Sequence, residues 1–236
     1  VTPVDAEARA LTREVLMGVA AVSSQSVRGR ADGEAATVVD GGSFKMYTAR
    51  VATAGFTGLR IAGNRSSALF PAAIVQPRVM AEGAPPLPAS AELMLIEWLS
   101  YANPAGGSLG PMISAQARPL GSNASFAFAP RALPQAVLLE VPFEMEVSAA
   151  TNAFTGQGHA AIAMYLDEEA WAWSPAGLVS QPASEDKTVV VAASHLSHFS
   201  VLQVVTGCDG IPLSSKVRVP TPRPGPRGAC DHPALG

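Results

Sequence analysis

The sequence has 236 residues, of which 48% are hydrophobic and only 15% are charged, and its formal net charge is −3. This hydrophobic share argues against a disordered chain, and the length is enough for a domain with a substantial core. Because basic residues are not in excess, nucleic acid is not expected as a partner. No apolar run reaches the roughly 18 residues of a membrane helix, so no membrane span is predicted. The chain starts with Val1 and shows no signal-peptide pattern, so we expect a piece of a longer protein.

One amphipathic helix is predicted at the start of the chain. Thr2 and Pro3 form a typical helix start, and the polar run of residues 23–26 marks the end. Between them, apolar residues recur at steps of three and four, as on one face of a helix. We expect this face to pack against the rest of the domain; its residues are Val4, Ala8, Leu11, Val15, Val19 and Val22.

After Gly41-Gly42 the sequence changes to short segments rich in branched and aromatic residues, separated by Gly, Pro, Asn and Ser. This pattern predicts an antiparallel β-sandwich, so the expected fold class is mainly β with a short N-terminal helical portion. The predicted strands are 44–51, 59–62, 91–99, 112–118, 125–129, 137–147, 160–166, 187–194 and 199–206. We divide the chain into a helical portion (1–40), a sandwich portion (41–206) and a tail (207–236).

The residues that suggest chemistry lie between the last two predicted strands. Only His195-Leu196-Ser197-His198 separates these strands, which predicts a tight hairpin. Such a turn could bring the His195 imidazole to the Ser197 hydroxyl, and the ordinary pKa of histidine suits proton abstraction at neutral pH. The activated hydroxyl could attack the Leu196 carbonyl and form an ester, which water would hydrolyse. The sequence therefore suggests one self-cleavage between Leu196 and Ser197, provided that residues 187–206 form two adjacent antiparallel strands.

A wider pattern surrounds these residues. It comprises Tyr165, Asp167, Trp173-Ser174, Gly177 and the closing sequence His195–Leu202. Their order and spacing over residues 163–202 resemble the proteolysis-site (GPS) motif that closes the GAIN domain of adhesion receptors and polycystin-like proteins. Upstream, the resemblance is looser and extends over roughly residues 1–205.

The resemblance implies a GAIN-like fold outside the cell or at the cell surface, anchored through membrane regions outside this chain. His195 would be the general base, Ser197 the nucleophile and Leu196–Ser197 the scissile bond. Cleavage would leave a noncovalent heterodimer, in which the partner is the chain's own C-terminal strand; an extracellular protein ligand is also expected. No cofactor and no metal are implied.

The sequence also departs from the family pattern. The positions of the two family disulfides are Ala163, Leu178, Val191 and Ala193 here. The early tryptophan of the family is Leu166, and the nucleophile is serine rather than the more frequent threonine. Loss of two disulfides removes a brace worth about 2–5 kcal/mol each in small domains, although apolar replacements can repack a core.

Two other functions remain open. The first is an uncleaved structural or adhesion sandwich, in which the hairpin is only an element of the fold. The second is a conventional hydrolase that uses His195 and Ser197 on an external substrate. This second function needs an orienting carboxylate, for which Asp167 is the nearest candidate, and an open pocket.

The remaining motifs have less specific interpretations. Trp173 and Tyr165 are expected in the core, and His198 is expected to face solvent or a neighbouring strand. The acidic run 167–169 is typical of a solvated turn, and neither His159 nor His232 has the neighbours of a metal site.

The sequons Asn64-Arg65-Ser66 and Asn123-Ala124-Ser125 could accept glycans in a secretory compartment. Cys208 and Cys230 could form one disulfide or remain two thiols. The tail around Cys208 resembles a degenerate cysteine-rich repeat of the kind that follows GAIN domains; the alternative is a disordered tail.

Overall fold

The computed structural model describes residues 6–76, 82–83, 86–99, 108–122, 126, 135–144, 158–181 and 187–206. One helix, α1 (Ala6–Ser26), is followed by β1 (Thr37–Asp40), β2 (Phe44–Ala52), β3 (Gly58–Ala62), β4 (Ser67–Pro71), β5 (Ser90–Trp98) and β6 (Met112–Pro119). The remaining strands are β7 (Val137–Pro142), β8 (Gly158–Asp167), β9 (Ala172–Ser174), β10 (Leu178–Ser180), β11 (Thr188–Ala193) and β12 (His198–Thr206). In this part of the chain, no helix has the length and hydropathy to cross a membrane.

The strands form two antiparallel sheets that face each other. The larger has seven strands in the order β1-β2-β5-β6-β12-β8-β9, and the smaller has five in the order β10-β11-β7-β4-β3. The predicted fold class, mainly β with antiparallel sheets and a short N-terminal helix, is therefore confirmed. The sheet begins at Thr37, because β1 pairs with β2.

The main core lies between the two sheets, where alternate side chains of facing strands meet. The seven-stranded sheet contributes residues such as Leu93, Leu95, Ile113 and Phe199, each fully buried. The five-stranded sheet contributes Leu139, Val189, Val191 and others from the same alternation. In β11 buried residues alternate with partly exposed ones, as expected for a strand with one face in the core, whereas all nine residues of β5 are buried because its other face packs on α1.

The helix covers the other face of the seven-stranded sheet, but of the predicted apolar face only Val19 is buried among the side chains that the structure describes. Leu16 and Val19 are buried against a second cluster that includes Met46, Met94 and Ile96. Three residues of the predicted apolar face are exposed, at 62% for Leu11, 40% for Val15 and 44% for Val22. The predicted start at Thr2-Pro3 lies outside the described residues, whereas the end at Ser26 agrees with the prediction.

The buried face of α1 is shifted because the sheet beneath it carries polar side chains. Ser23 is fully buried and its hydroxyl lies 3.3 Å from Oγ1 of Thr48. Ser24 Oγ donates to Glu92 Oε2 at 3.1 Å, and the same carboxylate oxygen accepts from Arg118 Nε at 3.0 Å. A purely apolar helix face would leave these buried polar groups without partners from α1, so the serines lie inward.

The predicted hairpin between the last two strands is wrong. β11 pairs with β10 and β7 in the five-stranded sheet, whereas β12 pairs with β8 and β6 in the seven-stranded sheet. The connection Ser194–Ser197 therefore crosses between the two sheets, and we call it the sheet crossing. Packed sheets are about 10 Å apart and four extended residues span up to about 13 Å, so this length suits a crossing as well as a hairpin.

The other strand predictions differ from the structure mainly in what they omit. β1, β4, β9 and β10 were not expected, and β9 and β10 have only three residues each, too few for a periodic pattern. The predicted strand 137–147 ends at Pro142 in the structure, and its last three residues lie outside the described chain. Of the predicted strand 125–129, only Phe126 is described.

Candidate functional site

The sheet crossing is fixed at both ends by backbone hydrogen bonds. Ser194 N donates to Gly177 O at 3.0 Å, just before β10. At the other end, Ser197 O accepts from Ala115 N of β6, also at 3.0 Å. All four residues of the sheet crossing are half-buried. The candidate residues His195, Leu196 and Ser197 thus lie together at the rim between the two sheets.

The Ser197 hydroxyl is held by the strand beside it. Its Oγ donates to the carbonyl oxygen of Leu166, near the end of β8, at 3.2 Å. Within the described chain, no hydrogen bond joins this hydroxyl to the His195 ring. The structure therefore places Ser197 and His195 two residues apart on one short connection, without a hydrogen bond between their side chains.

The His195 ring lies among aromatic side chains. The edge of the imidazole meets Tyr165, with ring centroids 4.2 Å apart and an interplanar angle of 76°, and the Phe199 ring lies 6.1 Å away. Nε2 of His195 is buried and has no hydrogen-bond partner among the described residues. Burial lowers the pKa of His195 below its ordinary value of 6.5. The imidazole is therefore neutral at pH 7 and can accept a proton.

Gly177 allows the crossing to pass close to the β9–β10 turn. Its φ of +75° lies in the left-handed region that favours glycine. A Cβ atom at this position would lie 2.5 Å from Ser194 Oγ and 3.3 Å from His195 Nδ1. Any side chain here would displace the two residues that lead into the candidate bond, so Gly177 is a positioning residue for His195.

A second histidine, His198, begins β12 and is engaged on both sides of its ring. Its Nδ1 lies 2.5 Å from Ser114 Oγ of β6, and its Nε2 lies 3.5 Å from Oε1 of Glu168. The same Ser114 hydroxyl accepts the indole N–H of Trp98 at 2.7 Å. Of the two predicted positions for His198, the structure selects the neighbouring strand, since only 4% of the residue is exposed.

Sequence reasoning did not find this network because its members lie far apart in the chain. Ser114 and His198 are separated by 84 positions, and Trp98 lies on a third strand. The available signal was Ser114, the first of three polar residues that alternate with apolar ones along β6, the others being Gln116 and Arg118. In a central strand, a buried polar residue requires a partner from a neighbouring strand.

Asp167 does not serve as the third residue of a hydrolase. Its Oδ1 accepts the backbone N–H groups of Glu169 and Ala170, both at 3.0 Å, and thereby closes the β8–β9 turn. The predicted acidic turn is present, but the carboxylate that meets a histidine is Glu168, and that histidine is His198. The described structure thus contains no hydrogen-bonded link from Ser197 through His195 to a carboxylate.

Core packing occupies the positions where the family pattern has disulfides. Ala163, Leu178, Val191 and Ala193 are all buried in the main core, and Leu178 pairs directly with Ala193 across β10 and β11. Both cysteines lie outside the described residues. Trp173 and Tyr165 are half-buried and pack at the edges of the two hydrophobic clusters, so the prediction that they contribute to the core is confirmed.

The described residues contain no group of three or more His, Cys, Asp or Glu side chains placed to hold a metal ion. The side chain of His159 and all of His232 lie outside this description. No protein-family model matches the chain, and a search of curated proteins finds no match to it.

Proposed function

We propose that this chain is a GAIN-like domain of a larger extracellular, membrane-anchored protein, and that it cleaves itself once between Leu196 and Ser197. The observation that carries the proposal is the state of His195. Its Nε2 is buried and without a hydrogen-bond partner in the described chain, and burial lowers its pKa. A neutral imidazole two residues before a serine can act as the base of the acyl shift once the hydroxyl reaches it.

The reaction would proceed in two steps. His195 takes the proton of the Ser197 hydroxyl, Oγ attacks the Leu196 carbonyl carbon, and the carbon–nitrogen bond between the two residues breaks. The imidazolium returns its proton to the released amine of Ser197, which leaves an ester. Water then hydrolyses the ester, which yields a carboxylate at Leu196 and restores the hydroxyl of Ser197, whose amino group is already free. The reaction is a single turnover on the chain itself.

The sequence prediction of self-cleavage depended on two adjacent antiparallel strands, and this condition is not met, because β11 and β12 lie in different sheets. The acyl shift itself requires only that the hydroxyl reach the base and the carbonyl, which in the sheet crossing needs one local movement. In the structure, Ser197 Oγ donates to Leu166 O and makes no hydrogen bond to His195 among the described residues. Rotation of the Ser197 side chain away from Leu166 would free the hydroxyl to meet the imidazole. One hydrogen bond of this kind contributes about 0.5–1.5 kcal/mol, which is small beside the barrier of amide cleavage.

The two products would stay together because β12 is an interior strand. It pairs with β8 over eight residue positions, from Phe199↔Tyr165 to Thr206↔Gly158, and with β6 at His198 and Phe199. The side chains of Phe199 and Val201 are fully buried in the core. The cleaved protein would therefore be a noncovalent heterodimer in which the C-terminal fragment starts at Ser197.

The second candidate function is an uncleaved structural or adhesion domain. It is favoured by the hydrogen bond from Ser197 to Leu166, which holds the hydroxyl away from His195. In this case the sheet crossing serves only to join the two layers of the sandwich.

Intact mass and N-terminal sequencing of the purified protein distinguish the two candidates. Self-cleavage predicts a fragment beginning at Ser197 and its loss in Ser197→Ala and His195→Gln. The matched control is Ser194→Ala, which removes a hydroxyl from the same connection and should cleave like the wild type. A single intact chain in the wild type over several days at pH 7–8 would exclude self-cleavage and support the structural domain.

A further inference from the structure

The connection between β3 and β4 places one of the two sequons on the surface. Gly63 N donates to Ser66 O at 2.8 Å and closes a tight turn with Asn64 and Arg65 at its tip. Both tip residues are exposed. A group attached to the Asn64 side chain would therefore project into solvent without displacing any part of the core.

The third residue of this sequon is in a different environment. Ser66 is 4% exposed, and its hydroxyl donates to Oε1 of Glu97 at 2.6 Å. The same carboxylate oxygen accepts the backbone N–H groups of Arg65 and Ser66, at 3.0 and 3.1 Å. Tyr47 donates its hydroxyl to the other oxygen at 3.3 Å. The Glu97 carboxylate of β5 thus holds the whole turn from the facing sheet.

Opening of this turn would deprive the Glu97 carboxylate of its hydrogen-bond donors. Glu97 is only 3% exposed, so its carboxylate depends on these donors in place of water. Burial and the neighbouring Glu97 raise the pKa of Tyr47, which keeps its hydroxyl protonated as a donor. A Cβ on Gly63 would lie 2.5 Å from Oε1 of Glu97, so the backbone is already packed against the carboxylate.

We propose that Asn64 is an N-glycosylation site that accepts its glycan only before the β3–β4 turn docks on Glu97. This proposal depends on the secretory location that is part of the proposed function. An enzyme that recognises Asn-x-Ser must reach the serine hydroxyl as well as the asparagine amide, since the triplet is defined by both. In the folded domain the amide is accessible and the hydroxyl is not. Modification must precede folding of this hairpin, and the glycan then remains on the exposed tip.

The donor is an oligosaccharide linked through diphosphate to a polyprenol lipid, supplied by the secretory compartment. The new bond joins Nδ2 of Asn64 to the anomeric carbon of the first sugar, and the bond from that carbon to the diphosphate oxygen breaks. The lipid diphosphate leaves with the electron pair, and the amide gives up one proton. No oxidation or reduction takes place.

The first experiment tests the site. The chain is expressed behind a secretion signal in eukaryotic cells as the Asn123→Gln variant, which removes the other sequon. We expect one glycan, removed by a peptide amidase specific for N-glycans, and loss of this mass shift in both Asn64→Gln and Ser66→Ala. Secreted, folded protein without a glycan at Asn64 would overturn the proposal.

The second experiment tests the order of events. Folded, unglycosylated protein from bacteria and a synthetic peptide of residues 58–71 are each given purified oligosaccharyltransferase and its lipid-linked donor. We expect the folded protein to react roughly tenfold more slowly than the peptide, or not at all, because its hydroxyl is held by a charged group. A folded variant with an added acceptor triplet at its C-terminus confirms that the enzyme acts on folded protein. Equal rates for the peptide and Asn64 of the folded protein would overturn the proposed order.

The same samples separate this proposal from self-cleavage. Asn64 lies at the tip of the β3–β4 turn, and no hydrogen bond among the described residues joins it to the sheet crossing, so Asn64→Gln should leave any fragment starting at Ser197 unchanged. A glycan without cleavage would leave the site standing and refute only the reaction at Leu196–Ser197. Cleavage without a glycan would refute the glycosylation site and leave the reaction at Leu196–Ser197 standing.

Discussion

The sheet crossing and the strand that follows it differ sharply in how they are held. Ser194–Ser197 is half-buried and is anchored by one backbone hydrogen bond at each end. β12, in contrast, lies between β6 and β8 and buries Phe199, Ser200 and Val201 completely. A bond in the first segment can break with little loss of packing, whereas the second retains its contacts. The chain thus combines an adaptable connection with a firmly held strand.

The largest expected effect comes from truncating a core side chain of β12. Phe199→Ala should lower the free energy of unfolding by about 3–5 kcal/mol, because it leaves a cavity in the main core. The matched change in the crossing, Leu196→Ala, removes a half-buried side chain and should cost about 1–2 kcal/mol. Urea unfolding at equilibrium measures both. Equal losses would contradict the difference between the two segments.

A smaller loss is expected at the polar anchor of β12. Ser114→Ala removes the hydroxyl that accepts from Trp98 and contacts His198 Nδ1, at a cost of about 1–3 kcal/mol. Ser194→Ala, at a half-buried serine of the crossing, should change stability by about 0.5 kcal/mol or less. The comparison is made by chemical denaturation of both variants. If Ser114→Ala is as stable as Ser194→Ala, His198 does not anchor the strand.

A third pair of variants measures how closely the sheet crossing packs against the β9–β10 turn. Gly177 and Gly55 have almost the same φ, +75° and +74°, but only Gly177 has atoms close to the position of a Cβ. Gly177→Ala should therefore cost about 1 kcal/mol more than Gly55→Ala, because it adds a clash with Ser194 and His195 to the same backbone strain. Thermal unfolding of the two variants reports the difference. If the two losses are the same, the close approach has no energetic effect.

The smallest effect concerns the protonation of His195. Since burial lowers its pKa, the folded state binds fewer protons than the unfolded state between this lowered value and about 6.5. Stability contributed by the neutral ring is complete above about pH 6.5 and is lost as pH falls. In His195→Gln the decline below this pH should be shallower. Urea titrations from pH 5 to 8 test this, and parallel curves for both proteins would show that His195 titrates normally.

The proposed self-cleavage should follow the same titration. Protonation of His195 removes the base, so the rate of cleavage should fall as pH decreases through the lowered pKa and stay level above about 6.5. The amount of the fragment starting at Ser197, measured over time in buffers of different pH, gives this profile. A rate that stays level at every pH at which the domain remains folded would assign the proton transfer to another group.

The sequence was sufficient to predict the layers of the domain but not the partners of individual strands. A short continuous run of apolar, mostly branched residues such as Val189–Ala193 indicates a buried strand, whichever sheet it joins. The four residues Ser194–Ser197 fit a hairpin and a crossing equally well by length. Only the long-range pairing of β11 with β7 and of β12 with β8 distinguishes them, and sequence periodicity contains no such information.

The candidate site shows the same limit. His195, Leu196 and Ser197 could be found from their local order, and the structure places them on one short connection. The orientation of Ser197 toward Leu166 and the anchoring of His198 by Ser114 depend on residues at least 31 positions away. The helix face was mispredicted for a related reason, because Ser23 and Ser24 are drawn inward by Thr48 and Glu92.

The interior place of β12 also determines what its removal would do to the molecule. Without this strand, the larger sheet would separate into a four-stranded piece, β1-β2-β5-β6, and a two-stranded piece, β8-β9. A two-stranded ribbon is at best marginally stable by itself. Removal of β12 would therefore disrupt the whole larger sheet rather than leave an empty groove between β6 and β8.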